Sequence, residues 1–229
     1  MRVVLVHHFP LAEDAAGHLV RQWAADLQAA GHAVRVLIVD ALGPPSSAGI
    51  ERVVCNAKRG AADLPFAVPH FGDFSGSAAP RQTFHQLSDA QLAAYRDQQR
   101  SRLDSIIAGF DPHVIHAQHI WIQGQLALET GVPYVLNAWG PELPAARGDE
   151  RYATLAAQAA ENAGRILAPN EALARQVVEQ FEISAERLLV MPSDWTPGHG
   201  GNGPPSKQRG AALAELYQMV YDERFGPLG

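Results

Sequence analysis

The sequence predicts an α/β fold: one doubly wound, mostly parallel sheet of about six to seven strands. Three observations carry this. A β-branched run stands at residues 3–6 (VVLV). Short apolar runs then alternate with longer segments whose apolar residues recur at helical spacing. The stretch 111–143 (DPHVIHAQHIWIQGQLALETGVPYVLNAWGPEL) reads as strand, loop, helix, strand, loop, the unit from which parallel sheets are built.

In order, residues 3–6 read as a strand buried on both faces. The loop 7–17 follows. Leu19, Val20, Trp23, Leu27 and Ala30 then fall at helical spacing, with Gly31 as the stop. Residues 34–39 form the next strand, with Asp40 at its carboxyl end. A Gly-Pro-Ser segment (43–49) leads to a short strand at 52–55, and the right-handed crossover rule makes this a βαβ opening. Residues 58–83 show no clear period and hold Phe66, Phe71 and Phe74, so they read as a long surface excursion. Ser88 and Gln91 form a capping box for a helix whose Leu92, Tyr95, Leu103, Ile106 and Ile107 face the core up to Gly109.

Within the central stretch, 113–117 is a strand, 123–129 a helix stopped by Gly131, and 132–136 a strand. An alanine-rich helix (151–163), a strand (165–168), a helix capped by Asn170 and a last strand (188–191) ended by Pro192 complete the alternation. Residues 196–210 (TPGHGGNGPPSKQRG) are linker by composition. Residues 211–224 carry Leu213, Leu216, Tyr217, Val220 and Tyr221 on one face, a tail helix docked back on the body. The expected organisation is a domain over 1–195, a linker over 196–210 and a tail helix over 211–229.

At 229 residues the chain can bury a sizeable core. A net charge of −6 argues against nucleic acid and anionic membranes as partners. The single cysteine, Cys55, excludes a disulfide framework and a multi-cysteine zinc site. No apolar run reaches the roughly 18 residues of a membrane span. The amino terminus is too short and too soon interrupted by histidines for a signal peptide. A cytoplasmic location is the expectation.

In a doubly wound sheet the first strand lies beside the strand opening the second half, and ligands bind at the carboxyl ends where the order reverses. That rule brings His7 and His8 towards His116 and His119. Gly17 and His18 open the first helix, whose free N–H groups favour an anion. Trp121, Asn137, Trp139, Gly140 and Glu142 fall on the same edge, a polar and aromatic group suited to a phosphorylated or hydroxylated small molecule. Plainer roles stand beside each reading. Histidines satisfy backbone groups at strand ends, core is the commoner fate of a Trp beside a strand, and Glu142 serves either as a general base or as a cap. A three-histidine zinc site lacks a carboxylate at ligand spacing, and no metal is assigned. The loop 4–17 holds only one glycine, so the G-x-G-x-x-G fingerprint is absent from the first strand-to-helix turn and no nicotinamide cofactor is expected. The lack of a P-loop removes the common nucleotide hydrolases, and no G-x-S-x-G elbow exists.

The chain up to about Pro192 resembles the amino-terminal, Rossmann-like domain of the family-four retaining glycosyltransferases of the GT-B fold. The matching pieces are MRVVLVHHFP…AAGHLVRQWAADLQAAGHAVRVLIVD, DPHVIHAQHIWIQGQLALETGVPYVLNAWG and ENAGRILAPNEALARQVVEQFEISAERLLVMPSD, with Pro10, Gly17, Gly31-His32, Asp111, His116, His119 and Trp121 at the family's positions. The resemblance implies a domain that holds the acceptor and closes over a nucleotide-sugar donor, a co-substrate that leaves no resident cofactor. Gly17 would approach the donor diphosphate and His119 the donor sugar. Trp139-Gly140 stands where the family usually has His-Gly. After residues 188–191 the family continues into a donor-binding domain with paired glutamates and basic residues. Here the linker and tail helix occupy that place, the tail resembling the family's closing helix.

Three functions follow as expectations. The first is a part in hexosyl transfer from a nucleotide sugar, with His119, His116 and Glu142 catalytic, alone, as a homo-oligomer or with a separate donor-binding subunit. The second is a sugar- or nucleotide-binding or interaction protein without turnover. The third is a small hydrolase or lyase using His8, His116 and His119.

Overall fold

The computed structural model describes residues 1–12, 15–41, 49–58, 62–72, 82–191 and 206–228. Phe74, Pro192, most of the Gly-Pro-Ser segment and residues 196–205 of the expected linker lie outside them.

Seven parallel strands form one sheet: β1 (Arg2–His7), β2 (Ala33–Asp40), β3 (Ile50–Val54), β4 (Val114–Gln118), β5 (Tyr134–Asn137), β6 (Arg165–Ala168) and β7 (Leu188–Val190). Their order is β3-β2-β1-β4-β5-β6-β7, which reverses between β1 and β4 as a doubly wound sheet requires. Leu5 of β1 lies opposite His116 of β4. Val3, Val4, Leu5 and Val6 are all buried, the continuous apolar pattern of a strand covered on both faces.

The helices are α1 (Ala15–Ala29), α2 (Asp89–Phe110), α3 (Gln123–Thr130), α4 (Glu142–Arg147), α5 (Glu150–Asn162), α6 (Glu171–Phe181) and α7 (Ser206–Phe225). The residues chosen as caps do that work. The Gln91 N–H donates to Ser88 Oγ at 3.2 Å and the Ser88 N–H to Gln91 Oε1 at 2.9 Å. The Leu173 N–H donates to Asn170 Oδ1 at 2.9 Å. Gly131 ends α3 at φ 75°.

One face of the sheet packs under α1 and α7 through Val3, Leu5, Trp23, Leu213 and Tyr217; the other packs under the remaining helices. The tail helix is therefore docked on the body. It begins at Ser206, earlier than its apolar stripe suggests, and it sits close. A Cβ at Gly210 would stand 2.0 Å from the Asp26 carbonyl oxygen, and one at Gly164 2.4 Å from Val220 Cγ1. Arg209 clamps the buried Asp26 at 2.8 and 3.1 Å, joined by the Ser206 hydroxyl.

Two expectations need correction. The segment 62–72 is not a surface excursion, because Leu64, Phe66, Val68 and Phe71 are buried in the main core. The loop read at the end of the central stretch, up to Leu143, gives way at Glu142 to α4, with Pro144 in its first turn, where no intrahelical N–H is lost.

Candidate functional site

Adjacency of β1 and β4 delivers the residues that follow them to one place. The His8 and His119 rings lie 5.2 Å apart, and His7 stacks on His119 at 5.9 Å. Histidines from two distant segments meet, as the topology predicts.

His119 is the unusual member. Its backbone is left-handed, at φ 90°, where a side chain is strained, and its N–H donates to the Asn137 carbonyl at 3.0 Å. The ring is 3% exposed, yet among the described residues neither ring nitrogen has a hydrogen-bond partner. Nδ1 lies 3.5 Å from Glu142 Oε2, which is likewise without a hydrogen bond. Glu142 itself is held rigidly. Its Oε1 accepts the Trp139 N–H at 2.7 Å and its carbonyl accepts the Trp121 Nε1–H at 2.8 Å. A carboxylate on the Nδ1 side favours the proton there and leaves the Nε2 lone pair as an acceptor. Each buried polar atom left unbonded costs about 1–3 kcal/mol, so the arrangement is not what stability alone would select.

The other predicted residues fall into different roles. His8 is a structural histidine. Its Nε2–H donates to the Trp121 carbonyl at 3.0 Å and its Nδ1 accepts from the Tyr95 hydroxyl at 3.1 Å. Burial, with His119 adding to it, holds its pKa well below the ordinary range, so it is neutral.

His116 does not join the cluster. It lies inside β4 on the opposite face, stacked on Trp23 at 4.9 Å, with Nε2 bonded to Asn137 Oδ1 and Nδ1 to the Tyr217 hydroxyl, both at 2.8 Å. Burial lowers its pKa to about 4. Strand alternation gives the reason: positions an odd number apart face opposite ways. The set His8, His116 and His119, on which zinc or hydrolytic chemistry would rest, is thus split by the sheet.

Trp121 is wholly buried against Tyr152 at 4.2 Å, an interior anchor rather than a sugar platform. Asn137 is spent on His116 and Met191. Trp139 keeps partial exposure and donates its Nε1–H to Gln118 Oε1 at 3.3 Å. Gly140 turns at φ 107° beside it. Gly17 is buried in the first turn of α1 and His18 is exposed, 3.3 Å from Arg21.

The cluster is roofed rather than open. Phe71 covers His119 at 4.5 Å, and Phe9, stacked on His70 at 5.0 Å, closes the side. Among the described residues no group of three or more His, Cys, Asp or Glu is placed to hold a metal ion. Sequence reasoning missed Phe71, Gln118 and the buried chain Tyr95–Gln99–Gln123, in which Gln123 Nε2 donates to Gln99 Oε1 at 2.7 Å. A signal existed for Gln99: it falls on the stripe of Leu92, Tyr95, Leu103 and Ile106, where an apolar residue belongs.

A family model described as "Glycosyl transferase 4-like domain" matches residues 15–194. The chain belongs to the glycosyl transferase 4-like domain family. No curated protein sequence matches it. Among solved structures, a sucrose-phosphate synthase chain from Thermosynechococcus elongatus is similar at 12% identity and TM-score 0.56, over 96% of this chain and 99% of that one. A longer chain of that enzyme, from the same organism, gives 14% identity and TM-score 0.57, over 84% of this chain but 48% of that one. The lipopolysaccharide outer core galactosyltransferase WaaB gives 8% identity and TM-score 0.50, over 83% and 45%. The glycosyl transferase 4-like chain therefore spans about half the length of those two longer chains, and at these identities the likeness establishes the fold.

Proposed function

We propose that this glycosyl transferase 4-like domain takes part in hexosyl transfer from a nucleotide-sugar donor, as the acceptor-side half of a cleft. The observation that carries the reading is His119: a strained, buried imidazole with two unbonded nitrogens, backed by a rigid carboxylate at the sheet's switch point. Glu142 orients the ring, and Nε2 accepts a hydrogen bond from a sugar hydroxyl once Phe71 gives way. The first turn of α1, at Gly17 and His18, faces the diphosphate, as the family resemblance implies. Retaining transfer needs positive groups at the departing diphosphate. Among the described residues no basic cluster stands on this edge, so we assign those groups to a donor-binding domain, a separate subunit or a second copy. The closed roof favours a second reading, a sugar- or nucleotide-binding module without turnover.

Calorimetric titration with nucleotide sugars, free nucleotides, hexoses and divalent metals separates these. Binding of a nucleotide sugar, lost in Glu142→Gln and His119→Leu, supports the first reading. Binding with no transfer in any pairing of donor, acceptor and partner leaves the second. If no sugar or nucleotide binds and the protein runs as a partner-free monomer, the first reading fails.

A further inference from the structure

The geometry points to a second ligand site, for a phosphomonoester, at the sheet edge opposite the histidine cluster. A cleft of about 400 Å³ opens where β5 and β6 begin, between the end of α5, the 3-10 turn before β7 and the last turn of α7. Tyr134, Arg165, Arg187 and Arg224 line it. The three guanidinium groups are in different states. Arg165 is spent on Glu223, at 2.9 and 2.5 Å, and on the Gly164 carbonyl at 2.7 Å. Arg187 donates to the Glu161 carbonyl at the end of α5, which fixes the side chain without cancelling its charge. Arg224 lies over the Phe225 ring at 5.5 Å.

Among the described residues neither Arg187 nor Arg224 has a carboxylate within ion-pair distance, whereas Arg2, Arg96, Arg100, Arg102, Arg151 and Arg209 do. Both line the same cleft as Arg165, beside Tyr134, whose hydroxyl donates to the Ala159 carbonyl at 2.7 Å, so the charges converge on one space. In a chain of net charge −6 that convergence is not a by-product of a basic surface.

The lining carries three guanidiniums against the carboxylates of Glu161 and Glu223. That balance suits one phosphate group, not a polyphosphate. Arginine forks match phosphate oxygens in pairs, and a cleft of this volume admits a phosphate with a small organic group. Arg187 and Arg224 are exposed, so binding is weak and falls with salt. Because α7 forms one wall, an occupant ties that helix to the body and raises the melting temperature.

The test uses the whole chain and two soluble probes, inorganic phosphate and glycerol 3-phosphate, read by calorimetry and thermal shift. A third arm sediments the protein with phosphatidic-acid vesicles, against phosphatidylcholine vesicles. Arg187→Gln and Arg224→Gln alter exposed side chains, and Arg35→Gln on β2 is the control. The expected result is saturable, salt-sensitive binding of glycerol 3-phosphate, with a rise in melting temperature. Each cleft variant should weaken it about tenfold and the control should not. Absence of saturable binding, equal affinity in the cleft variants, or binding to vesicles alone would overturn the proposal.

Discussion

His116 and His119 are three residues apart and have opposite fates. His116 has both nitrogens bonded and a tryptophan against its ring, and it fastens α7 to β4. Tyr217→Phe removes one of those bonds and should cost about 1–3 kcal/mol in urea denaturation while leaving ligand binding unchanged. His119 should behave the other way. His119→Leu deletes two unbonded nitrogens, so stability should change by less than about 1 kcal/mol or rise, while sugar binding is lost. A loss of several kcal/mol would instead make His119 structural.

The pH dependence belongs to this scale too. The His116 pKa falls from its ordinary value to about 4 and that of His8 falls well below it, so between pH 6.5 and 4 the unfolded chain takes up protons that the folded chain refuses. Stability is full above pH 6.5 and declines as pH drops towards 4, by roughly 3 kcal/mol for His116 alone. Denaturant midpoints measured across that range check it; a flat profile contradicts the buried neutral state. The meeting of His7 and His8 with His119 was legible from strand order. The departure of His116 was legible too, had the strand been extended to Gln118 and its period of two applied.

Among the elements, α7 carries the most specific claims. Gly210 and Gly164 let it approach α1 and the start of β6 closer than any side chain permits. Gly210→Ala should therefore destabilise by about 2 kcal/mol or more, because the added methyl meets backbone that cannot rotate away. Asp26→Ala removes the carboxylate that accepts from both Arg209 and the Ser206 hydroxyl and should cost about 1–3 kcal/mol. Thermal melts of both variants test this, and neither should alter which ligands bind.

The strands were readable because buried parallel strands are continuous runs, and the helices because their caps are chemically explicit. Residues 62–72 were read as surface, although Leu64, Phe66, Val68 and His70 alternate inward. Pro65 and Pro69 hid that period, since proline argues against a strand while still allowing an extended segment. The short α4 escaped for a related reason, with Pro144 in its first turn.

For the whole molecule, the sheet's reversal point is where function and fold meet. Chain topology gathers the residues there, and burial keeps most of them from solvent, which composition and spacing do not foretell. Trp121 and His8 had the residue types of a binding site but serve the core, while Glu142 holds its place beside His119 through Trp139. Within these 229 residues the interval between β7 and α7 is residues 191–205, too short to hold a second nucleotide-binding domain at that point. The donor-side chemistry of the proposed transfer must therefore come from elsewhere than that junction.

The account turns on His119 being the ring that meets the sugar. Nitrogen-15 correlation spectra of the histidine side chains, recorded while a nucleotide sugar is titrated to saturation, read that contact directly. The account predicts that the His119 nitrogens shift with ligand, with a smaller response at His8, while those of His116 stay fixed on the far face of the sheet. A saturated complex in which His119 does not move would contradict it.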